Sequence, residues 1–180
     1  QAASKKIRNA ARRKEWTQLG LSWGIILLFL GYLFIGDLSW HELRDEVGFP
    51  YTMEERIKDS YYYESQGTKD GLKVYTSKQD PNATAIDLID AVYGKVYTIK
   101  QDTKSPEKWI VIYTTNEVSV ISTVNDTTYV EVGSLKNLPD SEDTRLGNIR
   151  NDSDILLRYA YMVELKNKQG RQTLLKEIKD

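Results

Sequence analysis

"KWIVIYTTNEVSVISTVNDTTYVEVG", Lys108–Gly133, is the stretch whose reading decides the fold. It holds three runs rich in Val, Ile, Thr and Tyr, residues that suit a pleated, half-buried surface. The runs are joined at Asn116-Glu117 and at Asn125-Asp126. Links that short leave room only for tight hairpins, so the stretch reads as an antiparallel meander.

Just upstream, "PNATAIDLIDAVYG" (81–94) reads as a helix. Asn82 stands near its cap, Ala85, Ile86, Ile89 and Val92 share one face, and Gly94 is the stop. Before it, "LKVYTS" (72–77) reads as a strand. Thr52 with Glu55 fits the S/T-x-x-E capping box and predicts a helix from about Met53; Ser39 with Glu42 fits the same box and predicts a short helix before a break at Gly48-Phe49-Pro50. Downstream, "NLPDSEDTRLGNIRNDSD" is polar and turn-rich and reads as an exposed loop. The final stretch supports two readings. Asn151 or Ser153 would cap a helix ending near Gly170, whereas "LRYAYMVEL" from Leu157 alternates with period two and "KNKQG" resembles a hairpin turn, which favours strands over 155–177. Either way the class is α+β, a mostly antiparallel sheet with helices packed on one face.

Further out lies the segment that sets location. From Trp16 to Gly36 no side chain carries a charge. About 21 residues at a rise of about 1.5 Å give about 31 Å, the thickness of a bilayer hydrocarbon core. Phe34, Ile35, Gly36 and Asp37 offer no small-x-small cleavage site, so the run is expected to stay as a transmembrane helix rather than be removed as a signal. Six cations against one carboxylate precede it, a pattern that stays cytoplasmic. Subtracting these from the chain's 25 Lys+Arg and 26 Asp+Glu leaves 19 basic and 25 acidic residues after Glu15, a net charge of −6 on the side expected to be outside. Trp16 and Trp40 flank the span as interface anchors, and His41, the only histidine, reads as a polar group at that interface. Gly20, Gly24 and Gly31 fall within about 40° of one another on the helix and form a stripe for close helix packing, with Leu28 expected on a different face. The expected organisation is a basic cytoplasmic tail (1–15), a transmembrane helix (16–36), a juxtamembrane helix and hinge (37–51) and an extracytoplasmic α+β domain (52–180).

Chemistry is sparse. One histidine and no cysteine disfavour Ser-His-Asp, Cys-His and the usual zinc arrangements. Asp87 and Asp90 stand one helical turn apart, the minimum pair for glycoside hydrolysis, and read instead as charges on a solvated face. Asp140, Glu142, Asp143, Asp152 and Asp154 enrich one loop in oxygen ligands without the EF-hand spacing, and read as solvated. No catalytic residue, cofactor, metal or nucleic-acid partner is expected. Twelve tyrosines against three phenylalanines include Tyr61-Tyr62-Tyr63. Three in a row cannot share one face, so at least one ring is expected outside, where tyrosine suits a partner contact. Zero cysteines also point to an exported domain of a single-membrane bacterial surface, which does not depend on disulfides, although Asn82, Asn125 and Asn151 each open an N-x-S/T triplet.

The order of "VYTS", an amphipathic helix, "WIVIYTTNEVSVI" and "DTTYVEVGS" over Val74–Val132 resembles a small domain family of Gram-positive cell-surface proteins and lipoproteins, encoded beside membrane-stress genes and without an established activity. The resemblance implies a surface location and an envelope-stress context, and brings no site residues. The lipidated cysteine of that family is replaced here by the apolar helix. The plan of basic tail, one span and small α+β outer domain is also that of single-span subunits of conjugation and secretion machines, an analogy of architecture alone. The expected function is a membrane-anchored interaction or scaffold subunit of an envelope complex, partnered by the bilayer and by a membrane protein or a second copy. An envelope-stress or ligand sensor is the alternative, and a carboxylate-dependent cell-wall enzyme follows it.

Overall fold

The computed structural model describes residues 17–18, 20–30, 51–139 and 145–179. Trp16, Gly31, Trp40, His41, the Ser39/Glu42 box, the break at 48–50 and the carboxylates Asp140, Glu142 and Asp143 lie outside the described residues. The chain divides into two compact units, Gln1–Gly48 and Phe49–Asp180.

In the first unit the described residues of the expected span are helical. Its large apolar side chains from Leu21 to Leu30 are exposed on all sides, 44% for Leu30 to 75% for Leu28. Among the described residues no helix is long and apolar enough to cross a membrane. The stretch 17–30 reaches only about 21 Å at about 1.5 Å per residue.

The second unit is an antiparallel sheet with helices, as the α+β reading expects. Its elements are α1 (Met53–Asp59), β1 (Tyr63–Lys69), β2 (Leu72–Ser77), α2 (Pro81–Ala91), β3 (Thr98–Gln101), β4 (Ile110–Tyr113), β5 (Glu117–Val124), β6 (Thr127–Ser134), α3 (Asp154–Glu164) and α4 (Lys168–Lys179). Six strands lie in the order β1-β2-β6-β5-β4-β3, every pair antiparallel. The meander expected from Lys108–Gly133 is β4-β5-β6. Asn125 and Asp126 both take positive φ, 49° and 61°, the conformation a two-residue hairpin needs. Asp70 and Gly71 do the same at 50° and 80° and close the β1–β2 hairpin.

Strand alternation sorts the core into two layers. Ile99, Ile110, Ile112, Ile121, Val130 and Val132 face the helices, where they meet Met53 and Ile57 of α1, Ala85, Leu88 and Ile89 of α2, Leu156, Tyr159 and Val163 of α3 and Leu174 of α4. Val111, Val118 and Val120 face the other way and are covered by Leu146 and Ile149. Among its described residues the loop expected to be solvated therefore contributes two buried apolar side chains, because the second sheet face is apolar and needs a cover. Glu131 and Arg145 fasten that cover at 2.7 Å, with the Arg145 guanidinium 5.5 Å from the Trp109 ring.

Two further expectations are corrected. Residues 155–177 are not strands: α3 and α4 form a helical pair. The buried positions Leu156, Tyr159, Ala160 and Val163 follow the 3–4 spacing of a helix, and Ser153 caps α3 by accepting the Leu156 N–H. "KNKQG" is not a hairpin; Asn167 Oδ1 accepts the Gly170 N–H at 2.9 Å and opens α4. The cap of α2 is Asp80, which accepts the Ala83 N–H at 2.8 Å, with Pro81 at the first helical position, rather than Asn82. The capping box at Thr52 and Glu55 and the helix stop at Gly94 stand as expected.

Candidate functional site

α2 buries Thr84, Ala85, Leu88 and Ile89 against the sheet, which leaves Asp87 and Asp90 on its flank. Neither is a solvated surface charge. Asp87 receives two hydrogen bonds from the Arg56 guanidinium, Nη2 at 2.7 Å and Nε at 3.1 Å, and one from the Tyr63 hydroxyl at 2.6 Å. The side chains of Arg56 and Asp87 are 25% and 16% exposed, dry enough for a charge-assisted fork to matter. Asp90 accepts from the Tyr159 hydroxyl at 2.8 Å. Burial pushes the Asp90 carboxyl above its usual range, against the Tyr159 hydrogen bond and the nearby Arg171 charge. Burial and the adjacent carboxylates hold the Tyr63 and Tyr159 phenols well above theirs, so both stay donors. Asp87 ties α2 to α1 and β1; Asp90 ties α2 to α3. Each carboxylate is engaged by a separate partner, an arrangement that locks the helical layer to the sheet and leaves no open pair for acid–base work on a sugar.

A third carboxylate fixes the start of α1. Glu117, at the start of β5 and 9% exposed, accepts the backbone N–H groups of Met53 at 3.0 Å and Glu54 at 3.2 Å. Burial raises its pKa, opposed by those two backbone hydrogen bonds. The first turn of α1 is thereby held from the sheet as well as by its own capping box.

A cleft of ≈ 540 Å³ opens between α2, the β3–β4 region and the end of α4. Pro81, Ile86, Ile110 and Ile178 give it apolar walls, and Lys108 and Lys179 are among its lining. Among the described residues no group of three metal-ligating side chains occurs. The backbone of Asp152 forms a β-bridge with that of Lys100 beside β3, and the Asp154 carboxylate pairs with Arg158 at 3.3 Å.

The tyrosine run divides. Tyr63 is buried with Asp87, Tyr62 is 43% exposed and Tyr61 is 82% exposed, its ring 3.3 Å beneath the Lys78 ammonium. Tyr97, Tyr161 and Leu165 are exposed as well, and nothing in the local sequence set them apart from core residues. In the first unit Gly20 and Gly24 line a shallow groove of ≈ 410 Å³ together with Thr17, Leu21, Ile25 and Leu28. Leu28 is thus on the glycine face and not on a different one, since positions four apart differ by only about 40° around a helix.

No family model matches the chain, and no curated protein or solved structure matches it significantly.

Proposed function

We propose that the chain is a single-pass, membrane-anchored interaction subunit of a bacterial envelope complex, its N-terminus cytoplasmic and its α+β domain outside. The observation that carries this reading is the helix of the first unit, whose apolar side chains are exposed on every side. Such a surface has no place in water and is at home in lipid. The uncharged run from Trp16 to Gly36 and the excess of cations before it support the span and its orientation. The outer domain favours binding over turnover: Asp87, Asp90 and Glu117 are engaged in holding helices, while Tyr61, Tyr62 and Tyr97 stand exposed. Tyrosine's flat apolar ring and polar tip suit a contact surface.

Crosslinking in native membranes tests the reading. A stoichiometric membrane partner, or a second copy, is expected in the adduct. Gly24→Leu fills the glycine groove and is expected to weaken that adduct, whereas Ile26→Ala, about 200° away around the helix, is expected to leave it unchanged. A chain recovered only as an uncrosslinked monomer contradicts the proposal.

A further inference from the structure

The cleft of ≈ 540 Å³ beside the first turn of α2 lies within the size range of small-molecule sites, about 300–1,000 Å³. Its apolar wall is built from three elements: Pro81 and Ile86 come from α2, Ile110 from the start of β4 and Ile178 from the last turn of α4. Ile86 and Ile178 pack on the core by one side and stay half-buried, so the other side of each is left to the cleft. The rim carries charge of both signs. Asp80 and Lys108 both line it and both are exposed. Asp80 uses only Oδ1 to cap α2, accepting the Ala83 N–H at 2.8 Å. Its Oδ2 and the Lys108 ammonium make no ion pair with another described residue. Lys108 is presented by a tight turn, with φ 48° and its N–H donated to the Ser105 carbonyl at 3.2 Å. Asp102 and Glu107 belong to the same turn but not to the lining, and Asp102 Oδ1 already accepts the Lys104 and Ser105 N–H groups at 3.0 and 3.3 Å. Lys179 lines the cleft as well; Asp180 beside it lies outside the described residues, and the pairing below does not use Lys179. A rim with one unengaged acid and one unengaged base does not select a net charge. It suits a ligand that carries both.

We propose that this cleft binds a small apolar zwitterion, a free apolar amino acid or dipeptide, with its ammonium at Asp80 Oδ2, its carboxylate at Lys108 and its side chains against Ile86, Ile110 and Ile178. The apolar wall supplies the attraction and the two charges fix the orientation, the usual division of labour in small-molecule sites. The inference goes beyond the membrane-anchored reading and does not depend on it, because every lining residue belongs to the second unit.

L-leucyl-L-leucine is titrated into the full-length protein in phospholipid nanodiscs while the isoleucine methyl resonances are followed by NMR. At about 10 mM peptide, ten times a Kd of about 1 mM, Ile86, Ile110 and Ile178 are expected to shift and Ile57, buried under α1, to stay in place. The N-acetylated dipeptide lacks the ammonium and the dipeptide amide lacks the carboxylate. Each is expected to bind about two- to fivefold more weakly, the worth of an exposed charge contact. Asp80→Asn keeps an oxygen for the cap and removes the charge. It is expected to weaken the free dipeptide by that factor and to leave the N-acetylated one unchanged. Lys108→Gln is expected to weaken the free dipeptide and to leave the amide unchanged, and, being away from the cap, it carries the test should Asp80→Asn disturb α2. Unshifted resonances at all three isoleucines overturn the proposal. Equal binding of the three peptides overturns it too, and so does a Lys108→Gln loss that is the same for the free dipeptide and its amide.

Discussion

Asp87 and Asp90 differ by one helical turn, and that turn sends them to different neighbours. In the sequence they look alike, two acids at i,i+3 on an amphipathic helix, and such a pair is ordinarily solvated. What the sequence hides is that Arg56, Tyr63 and Tyr159, distant along the chain, arrive beside them only once the sheet has formed. The capping role of Asp80 was open to view in the Asp-Pro pair at the start of α2, and Tyr63 was separable from Tyr61 only by the strand it enters. Two consequences are measurable. Asp87→Ala leaves the Arg56 guanidinium and the Tyr63 hydroxyl partly buried without their acceptor, and is expected to cost about 2–4 kcal/mol. A lower urea midpoint at unchanged slope reads this out. Asp90→Asn keeps an oxygen for Tyr159 and removes the titration. Because burial raises the folded-state pKa of Asp90, the folded protein holds this proton more tightly than the unfolded chain. Its stability relative to Asp90→Asn is therefore highest in acid and falls as pH rises from about 4 through the raised value. Melting both proteins across that range checks the sign, and a difference that grows with pH contradicts it.

Elements with a strong local signal were readable from the residues alone. The meander announced itself through β-branched runs and Asn-Asp, α1 through Thr52 and Glu55, α2 through its period and Gly94. Two strands lacked such a signal. β1, "YESQGTK", is an edge strand with one buried side chain, so it has almost no apolar alternation, although the Asp70-Gly71 turn after it was a hairpin signal in plain view. β3 has four residues and gains its place from β4 and from the segment 151–153 along its outer edge. The C-terminal misreading has a definite cause: "LRYAYMVEL" satisfies period two by coincidence, and the cap at Ser153 and the 3–4 spacing carried the information that decided the outcome. Gly94 shows how one position serves two elements. It follows Tyr93 (φ 56°) in the left-handed turn that ends α2, with φ 72° and its N–H donated to the Ile89 carbonyl, and a Cβ there would lie 2.1 Å from the Ala160 carbonyl oxygen of α3. Backbone strain and overlap together give Gly94→Ala an expected cost of about 2–5 kcal/mol. Gly147, with nothing within 4 Å of its Cβ position, is expected to accept alanine within about 0.5 kcal/mol. Equal melting temperatures for the two variants contradict the packing of α3 on α2.

For the whole molecule, charge and hydropathy divide the chain more clearly than any motif does. A basic start, an uncharged apolar run and an acidic remainder are physical properties that fix preferred surroundings without fixing a reaction. The folded domain adds carboxylates that are each engaged by a separate partner, and exposed tyrosines. An exposed ring was legible in the run Tyr61-Tyr62-Tyr63, whereas the partners of the carboxylates were not, because they depend on which residues the sheet order brings together. The proposed function accordingly rests on the anchor, and topology is its most direct test. A reporter fused after Asp180 is expected to be active only on the outer side of the membrane, and protease added to wall-stripped cells is expected to digest residues 52–180 while leaving a short membrane-embedded fragment. A reporter active only in the cytoplasm, with the domain protected from added protease, contradicts the proposal.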